Sequence, residues 1–251
     1  MKSLHKTLDI IDVVAQAGEI GIRDISTKTG FPPATIHRIA STLVKRRYLS
    51  QHPVTKRYAL SFRFLELGTR VQEQFDLSAI ARPHLQQLMN DTQESANLVI
   101  QDGDEVVYID QVKSEKSMLK IFTRLGARVP LYNTGVGKML LSQWGESDID
   151  SYLDRTDRKP FTSNTLVKRD EIIKELKQNS RRGFSVDNEE MENGVRCVAA
   201  LIFDHKGKVT AAVSISGAAM RITPNRIEYF GEKVKQCALA ISRELGFVPM
   251  E

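Results

Sequence analysis

The residues with the clearest chemical use form a short loop, Thr134-Gly135-Val136-Gly137, at the start of a predicted helix. The first N–H groups of a helix lack a partner within it and can bind an anion without any charged side chain. The two glycines allow a ligand to approach the backbone closely. Ser214 and Ser216 alternate onto one face of a predicted strand, where both hydroxyls can meet a carboxylate. The alternative for these serines is ordinary polar filling of an exposed strand face.

Signatures of catalysis are missing from the sequence. Gly137 and Lys138 resemble the end of a phosphate-binding loop, but Tyr132 stands where that motif needs its first glycine, and Met139 where it needs Ser or Thr. There is no GxSxG or HExxH motif, and the five histidines are scattered without ligand spacing. The tandem Glu189-Glu190 is better explained as a loop than as an acid–base pair. The sequence therefore predicts no enzyme, no metal site and no cofactor.

A second group of polar side chains lies on a predicted helix that begins at Pro32 or Pro33. Its buried face, at helical spacing, consists of Ile36, Ile39, Ala40, Leu43 and Val44. The opposite face carries Thr35, His37, Arg38, Ser41, Thr42, Lys45 and Arg46. Small polar groups followed by cations are typical of a helix that enters the DNA major groove, although most amphipathic helices merely cover a core.

Two further helices and a hairpin surround that helix in the sequence. The first helix ends at Gly18 and has a predicted apolar face of Leu4, Leu8, Ile10, Ile11, Val14 and Ala15; the second covers residues 22–29. Two β-prone runs flank residues 52–56 and predict a hairpin. Its basic tip, Lys56 and Arg57, would reach the DNA backbone or minor groove. Three helices and a hairpin predict a winged helix-turn-helix over residues 1–61.

Charge is distributed unevenly along the 251 residues. Residues 1–60 contain 10 Lys or Arg and 4 Asp or Glu, whereas the remaining residues have a net charge of −1. This asymmetry indicates a polyanion-binding module joined to a neutral one. The two cysteines, Cys197 and Cys237, lie far apart, which fits a reducing cytoplasm and excludes a zinc framework or a disulfide scaffold. No apolar run is long enough to span a membrane, so we expect a cytoplasmic protein without a membrane partner.

Residues 62–76 predict a linking helix that is apolar on more than one side, with Phe62, Leu65, Leu67, Val71 and Phe75. Such a helix either connects two domains or packs against a second chain. The remaining residues, 77–251, combine helices with strands at 96–101, 106–112, 195–203 and 209–216, and a further strand is predicted at 118–124. Hairpin connections predict an α+β domain on an antiparallel sheet.

Three separated segments carry a resemblance to a known family: RRYLSQHPVTKRYALSFRFLELG, VPLYNTGVGKMLLS and RRGFSVDNEEMENGVRCVAALIFDHKGKVTAAVSISG. In order and spacing they resemble the IclR family of bacterial transcription regulators, over almost the whole chain. The resemblance implies a winged helix-turn-helix joined by a helix to a GAF-like α/β effector domain. It also implies a homodimer or tetramer that binds a palindromic operator of double-stranded DNA and responds to a small organic acid.

The resemblance also implies two sets of site residues. The DNA-binding set is Arg23, Pro33, Ala34, Thr35, His37, Arg38, Ser41, Lys56 and Arg57. The effector-binding set is Leu131, Gly135, Val136, Gly137, Asp187, Cys197, Ser214 and Ser216. At residues 32–34 the family often carries small polar side chains, so base readout is expected mainly from Thr35, His37 and Arg38. Cys197 also fits a packed core thiol, and Asp187 a capping carboxylate.

Three functions fit these observations to different degrees. An enzyme with a DNA-binding appendage would need a nucleophile and a base, which the sequence does not supply. An architectural protein would bind DNA whatever its sequence and would need no effector domain. A ligand-responsive transcription regulator, either repressor or activator, accounts for the basic first quarter and for the predicted pocket in the neutral remainder. We therefore expect a regulator.

Overall fold

The computed structural model describes residues 2–74, 77–115 and 124–249 of the chain. It divides into two compact units, Met1–Phe75 and Asp76–Glu251. The linking helix that the sequence suggested as a separate segment is grouped with the first unit. No helix in the described part of the chain is both long and apolar enough to cross a membrane.

The first unit is a winged helix-turn-helix. Its elements are α1 (Lys2–Ala17), α2 (Ile22–Thr29), α3 (Pro33–Lys45), β1 (Leu49–Gln51), β2 (Tyr58–Leu60) and α4 (Arg63–Gln74). Gly30 ends α2 with a φ of 71°, a left-handed conformation that glycine adopts without strain. β1 and β2 pair antiparallel, and Ile20 bridges to Tyr58 on the other side of β2.

The core of the first unit uses only part of the apolar face predicted for α1. Ile10 and Val14 are fully buried against Ile25, Ile36 and other apolar side chains. The prediction was wrong for Leu4, Leu8 and Ala15: Leu4 is 64% and Leu8 50% exposed, and Ala15 is also exposed. At about 100° per residue these three residues lie on a second stripe, rotated about 120° from the buried one. Helix α1 is therefore apolar on two sides.

The second unit is an α+β domain, as the sequence predicted. Its helices are α5 (Leu77–Thr92), α6 (Gly135–Leu141), α7 (Glu146–Arg155), α8 (Arg169–Arg182) and α9 (Ile227–Glu244), with a 3₁₀ turn at Pro224–Arg226. Its strands are β3 (Ser95–Asp102), β4 (Glu105–Val112), β5 (Arg128–Pro130), β6 (Ser185–Asn188), β7 (Val195–Phe203) and β8 (Val209–Ala218). The six strands form one sheet in the order β5-β4-β3-β8-β7-β6, and every pair is antiparallel.

The two faces of this sheet bury different cores. Leu98, Val213 and Ile215 point to one face, which α5 and α9 cover. Val99, Ala199 and Ala212 point to the other, which packs against α6, α7 and α8. The short strands β5 and β6 were not predicted, since runs of three and four residues carry little periodicity. Residues 118–123 of the strand predicted at 118–124, like Phe75 of the linking helix, lie outside the described residues, and Arg124 is not in a strand.

Candidate functional site

The exposed face of α3 presents most of the residues expected to contact DNA. Ala34, His37, Arg38, Ser41 and Lys45 are all exposed and lie within an arc of about 100° on the helix. No ion pair or side-chain hydrogen bond is recorded for the Arg38 or Lys45 side chain within the described residues. The helix therefore offers free cations and a hydroxyl on one surface, which is what phosphates and base edges require.

The other residues expected to contact DNA lie around α3 and differ in how exposed their side chains are. Arg23 on α2, Pro33 at the start of α3 and Lys56 in the hairpin are exposed, whereas Thr35 is half-buried. Arg57 points back into the unit: its guanidinium donates to the Glu19 carbonyl at 3.3 Å and lies 3.8 Å from the Asp24 carboxylate. Lys56, whose backbone φ is 57°, is exposed, whereas Arg57 is held by these contacts. Lys56 is therefore the cation of the hairpin tip that is freer to contact DNA.

A polar row crosses the buried face of the second unit. Asn97 of β3 donates to Ser214 at 3.2 Å and to Ser216 at 3.1 Å, both on β8. Cys197 of β7 donates its thiol hydrogen to Ser216 Oγ at 3.2 Å, and Asp187 of β6 pairs in register with Cys197. On the other side, Gln111 of β4 donates to Asn97 Oδ1 at 2.9 Å. The polar groups on β4, β3, β8 and β7 thus satisfy one another across four strands, as buried polar groups must.

A small cavity of about 30 Å³ lies between this row and the start of α6. Five of the expected effector residues line it: Gly135, Val136, Asp187, Cys197 and Ser214. Six further lining residues were not expected: Tyr108, Val129, Thr134, Met191, Glu192 and Val195. The remaining expected residues, Leu131, Gly137 and Ser216, are buried but do not line the cavity.

The loop that opens α6 is more constrained than its sequence suggested. Thr134 caps the helix, because its hydroxyl accepts the Gly137 N–H at 3.1 Å and donates to the Pro130 carbonyl at 3.1 Å. The N–H groups of Gly135 and Val136 remain without a recorded acceptor in the described structure. Gly137 itself packs against the backbone of Leu131, where a Cβ would clash. Its role is thus close packing rather than contact with the cavity.

Two buried charge clusters hold the loop that roofs the cavity, residues 188–195. Lys138 is fully buried on α6 and bonds to the Glu190 carboxylate, with Glu175 at 3.8 Å. Arg196, 7% exposed, donates to Glu189 at 3.2 Å and to Asn188 at 2.8 Å. Each cation therefore ties one residue of the loop to a neighbouring helix or strand, and neither is free to meet a ligand.

Burial controls protonation in this site. The pKa of Asp187 is raised to about 7, first by burial and then by the charge of Glu190, although Lys138 and backbone N–H donors lower it. Burial also raises the pKa of Glu190, against the opposing effect of Lys138. The thiol of Cys197 and the phenol of Tyr108 have pKa values raised by burial. Both stay protonated near neutral pH, so neither acts as a nucleophile, and the Cys197 thiol donates a hydrogen bond to Ser216.

No cluster of His, Cys, Asp or Glu able to hold a metal ion is found in the part of the chain that the structure describes. The cavity also lacks a nucleophile paired with a base, since the Cys197 thiol is hydrogen-bonded to a serine. The arrangement offers a small, mostly apolar cavity with a few hydrogen-bond donors and acceptors in its wall, suited to holding a compact ligand.

Comparison with known proteins agrees with both units. The model of the IclR helix-turn-helix domain matches residues 3–53, and that of the bacterial transcriptional regulator IclR C-terminal domain matches residues 69–243. The Escherichia coli regulator XynR is 33% identical over 98% of both chains. The crystal structure of the Thermotoga maritima IclR is 35% identical and covers 98% of this chain and 100% of its own, with a TM-score of 0.80.

A second solved structure agrees in fold alone. It is an IclR homolog from Microbacterium hydrocarbonoxydans complexed with 4-hydroxybenzoate, 20% identical over 97% of this chain and 98% of its own, with a TM-score of 0.85. The relatives are named as transcription regulators and not as enzymes, and repressors occur among them. This chain belongs to the IclR family of bacterial transcription regulators, whose helix-turn-helix domain binds DNA.

Proposed function

We propose that this protein is a cytoplasmic regulator that binds a palindromic operator as a homodimer or tetramer and responds to a small organic acid. The observation that carries the proposal is the small, partly enclosed cavity beside α6, with Asp187, Glu192 and Ser214 in its wall, in a chain whose other unit presents the free cations of α3. A DNA-binding unit without a ligand chamber would fit an architectural protein equally well.

Oligomerisation is supported by apolar side chains left exposed in the first unit. Leu4 and Leu8 form an exposed stripe on α1, Phe62 just before α4 is 84% exposed, and Leu65 on α4 is 65% exposed. Two copies that bury such surfaces around a two-fold axis would place two α3 helices on a palindrome. We expect Phe62→Glu to shift a dimer toward monomer in sedimentation velocity. Val54→Glu, at an equally exposed apolar residue of the hairpin, is the matched control.

The cavity is the proposed effector site. A volume of about 30 Å³ holds one or two water molecules, so even a three-carbon acid requires the roof loop to move. In the related protein from Microbacterium the bound molecule is 4-hydroxybenzoate, an aromatic hydroxy acid. We expect a smaller acid here, and a coupling free energy of about 1–3 kcal/mol between acid binding and operator binding.

The decisive experiment measures binding to the DNA upstream of the protein's own gene and to a shuffled control, over a series of salt concentrations. A specific regulator retains its preference for the upstream DNA at high salt, and an acid from a panel of keto and hydroxy acids changes its affinity. Equal and steeply salt-dependent binding to both DNAs, without an acid effect, would instead identify a nonspecific binder.

Arg38→Ala tests the proposed DNA face in the same assay. If Arg38 contacts a base edge, discrimination falls by about 1–3 kcal/mol at one base pair; if it contacts phosphate, affinity falls for all sequences and the salt slope decreases by about one. The control is Lys206→Ala, an exposed cation of the second unit. Unchanged affinity, specificity and salt slope would remove Arg38 from the interface.

A further inference from the structure

Glu192 stands out among the acidic side chains around the cavity. It lines the cavity wall, and its Oε2 atom is buried without a hydrogen-bond partner in the described structure. Three other buried side-chain atoms also lack a partner, on Asn133, Asn179 and Glu190, but none of these residues lines the cavity. A buried acceptor without a donor is unfavourable, and a carboxylate is the most unfavourable case.

The neighbouring acidic residues are all engaged by the protein. Glu189 accepts from Arg196 and from the Gly194 N–H at 2.8 Å. Glu190 bonds to Lys138. Asp187 accepts the Glu190 N–H at 2.7 Å through Oδ1. Among the residues that the structure describes, Glu192 has no ion pair or side-chain hydrogen bond, so its carboxylate is available to a ligand in the cavity.

The charges in the cavity wall also restrict the ligand. The wall includes two acidic side chains, Asp187 and Glu192, and no Lys, Arg or His. The nearby buried cation, Lys138, is directed to Glu190 and Glu175. A ligand whose only polar group is a carboxylate would therefore bring another negative charge to the wall and leave Glu192 without a donor.

We propose that Glu192 determines the specificity of the cavity by accepting a hydrogen bond from a hydroxyl or ammonium group of the effector. The effector is accordingly a hydroxy acid or an amino acid, and the matched keto or unsubstituted acid binds more weakly. This inference rests on the effector role proposed above and narrows it to acids that carry a donor. Hydroxyl and ammonium are two sources of the same donor chemistry, and the binding assay separates them.

The experiment measures dissociation constants of the full-length protein by isothermal titration calorimetry for matched acids of three and four carbons. The probes are lactate, 2-hydroxybutyrate and glycerate; alanine and 2-aminobutyrate; pyruvate and 2-oxobutyrate; and propionate and butyrate. We expect a hydroxy or an amino acid to bind at least about tenfold more tightly than its keto and unsubstituted counterparts, equivalent to about 1.4 kcal/mol. Preference for one donor series identifies whether the group is hydroxyl or ammonium.

Glu192→Gln tests the residue itself, because it keeps the size of the side chain and removes its charge. In this variant we expect the preference to fall to about threefold or less, since the amide can also donate to a keto oxygen. Glu228→Gln, at an exposed glutamate of α9, should retain the wild-type preference. Circular dichroism and fluorescence of the single tryptophan, Trp144, verify that each variant is folded.

The outcomes separate the two proposals. Keto or unsubstituted acids that bind the wild type as tightly as the donor-bearing acids would overturn the role of Glu192, as would an unchanged preference in Glu192→Gln. Neither result affects the effector role of the cavity. If no acid of any series binds the wild-type protein, the effector role fails and the inference fails with it.

Discussion

Replacing Asp187 by asparagine tests whether protonation of this buried carboxyl group makes the free energy of unfolding depend on pH. The carboxyl group is 3% exposed, and its pKa is raised from the ordinary value of 3.8 to about 7, mainly by burial. Between these two values the folded protein holds a proton that the unfolded chain has released. The free energy of unfolding therefore falls as pH rises from about 4 to about 7, and then levels off.

The size of this effect follows from the two pKa values. At about 1.4 kcal/mol per pH unit, the difference amounts to about 4 kcal/mol, as an upper bound because the charges of Lys138 and Glu190 act on the same carboxyl group. Asparagine keeps an oxygen that accepts the Glu190 N–H and carries no ionisable group. We therefore expect Asp187→Asn to be more stable than the wild type above pH 7, and to lose most of the decline between pH 4 and pH 7.

The assay is urea unfolding of the full-length chain at pH 4, 5, 6, 7 and 8, followed by tryptophan fluorescence. Trp144 is the single tryptophan and lies in the second unit, so the signal reports the unit that contains the cavity. Asp170→Asn, at an exposed aspartate of α8, is the matched control and should follow the wild-type pH dependence. If Asp187→Asn shows the same decline as the wild type, Asp187 is ionised in the folded protein and the reasoning is wrong.

Three further changes test the packing around the same loop. We expect Gly137→Ala to lower the free energy of unfolding by about 1–3 kcal/mol or more in urea titrations, because its Cβ would clash with the Leu131 backbone. Gly135→Ala should leave stability nearly unchanged but weaken acid binding in calorimetry, since its Cβ would lie 3.4 Å from the backbone nitrogen of Asp187, a residue that lines the cavity. Equal losses of stability for both alanines would contradict this distinction. We expect Lys138→Met to lower the free energy of unfolding by about 3–5 kcal/mol, because it leaves Glu190 charged and unpaired. The added change Glu190→Leu should restore most of that loss. A Lys138→Met variant as stable as the wild type would show that the ion pair contributes little.

The first unit was predictable from the sequence in nearly all its elements. Pro33 at the start of a helix, Gly30 and Gly18 as helix ends, and short apolar repeats are local signals, and the fold follows them closely. The error over Leu4 and Leu8 has a simple cause. Helical spacing identifies apolar stripes, but it does not say which of two stripes a single chain buries and which stays available to a partner.

The cavity was predictable only in part, because its walls come from residues far apart in the sequence. Gly135 and Ser214 belong to motifs that stand out along the chain. Asn97 and Gln111, in the polar row beside the cavity, do not, since a single amide on a strand predicts nothing until the register places it beside its partners. The two short strands were missed for the same reason: they form by pairing with neighbours and not from local preference.

The polar groups without partners around the cavity indicate how a bound ligand acts on the roof loop and on the start of α6. Most of the polar row is already hydrogen-bonded within the protein, so a ligand gains little there. The unsatisfied groups are Glu192 and the N–H groups of Gly135 and Val136, and these connect the roof loop to the start of α6. A ligand that satisfies them only in the folded protein stabilises the second unit against unfolding by about 2.7 kcal/mol at a concentration 100 times its dissociation constant. An acid-dependent shift of the urea midpoint reported by Trp144 would measure this stabilisation directly. The coupling to operator binding, expected at about 1–3 kcal/mol, is measured separately as the change in DNA affinity when the acid is added.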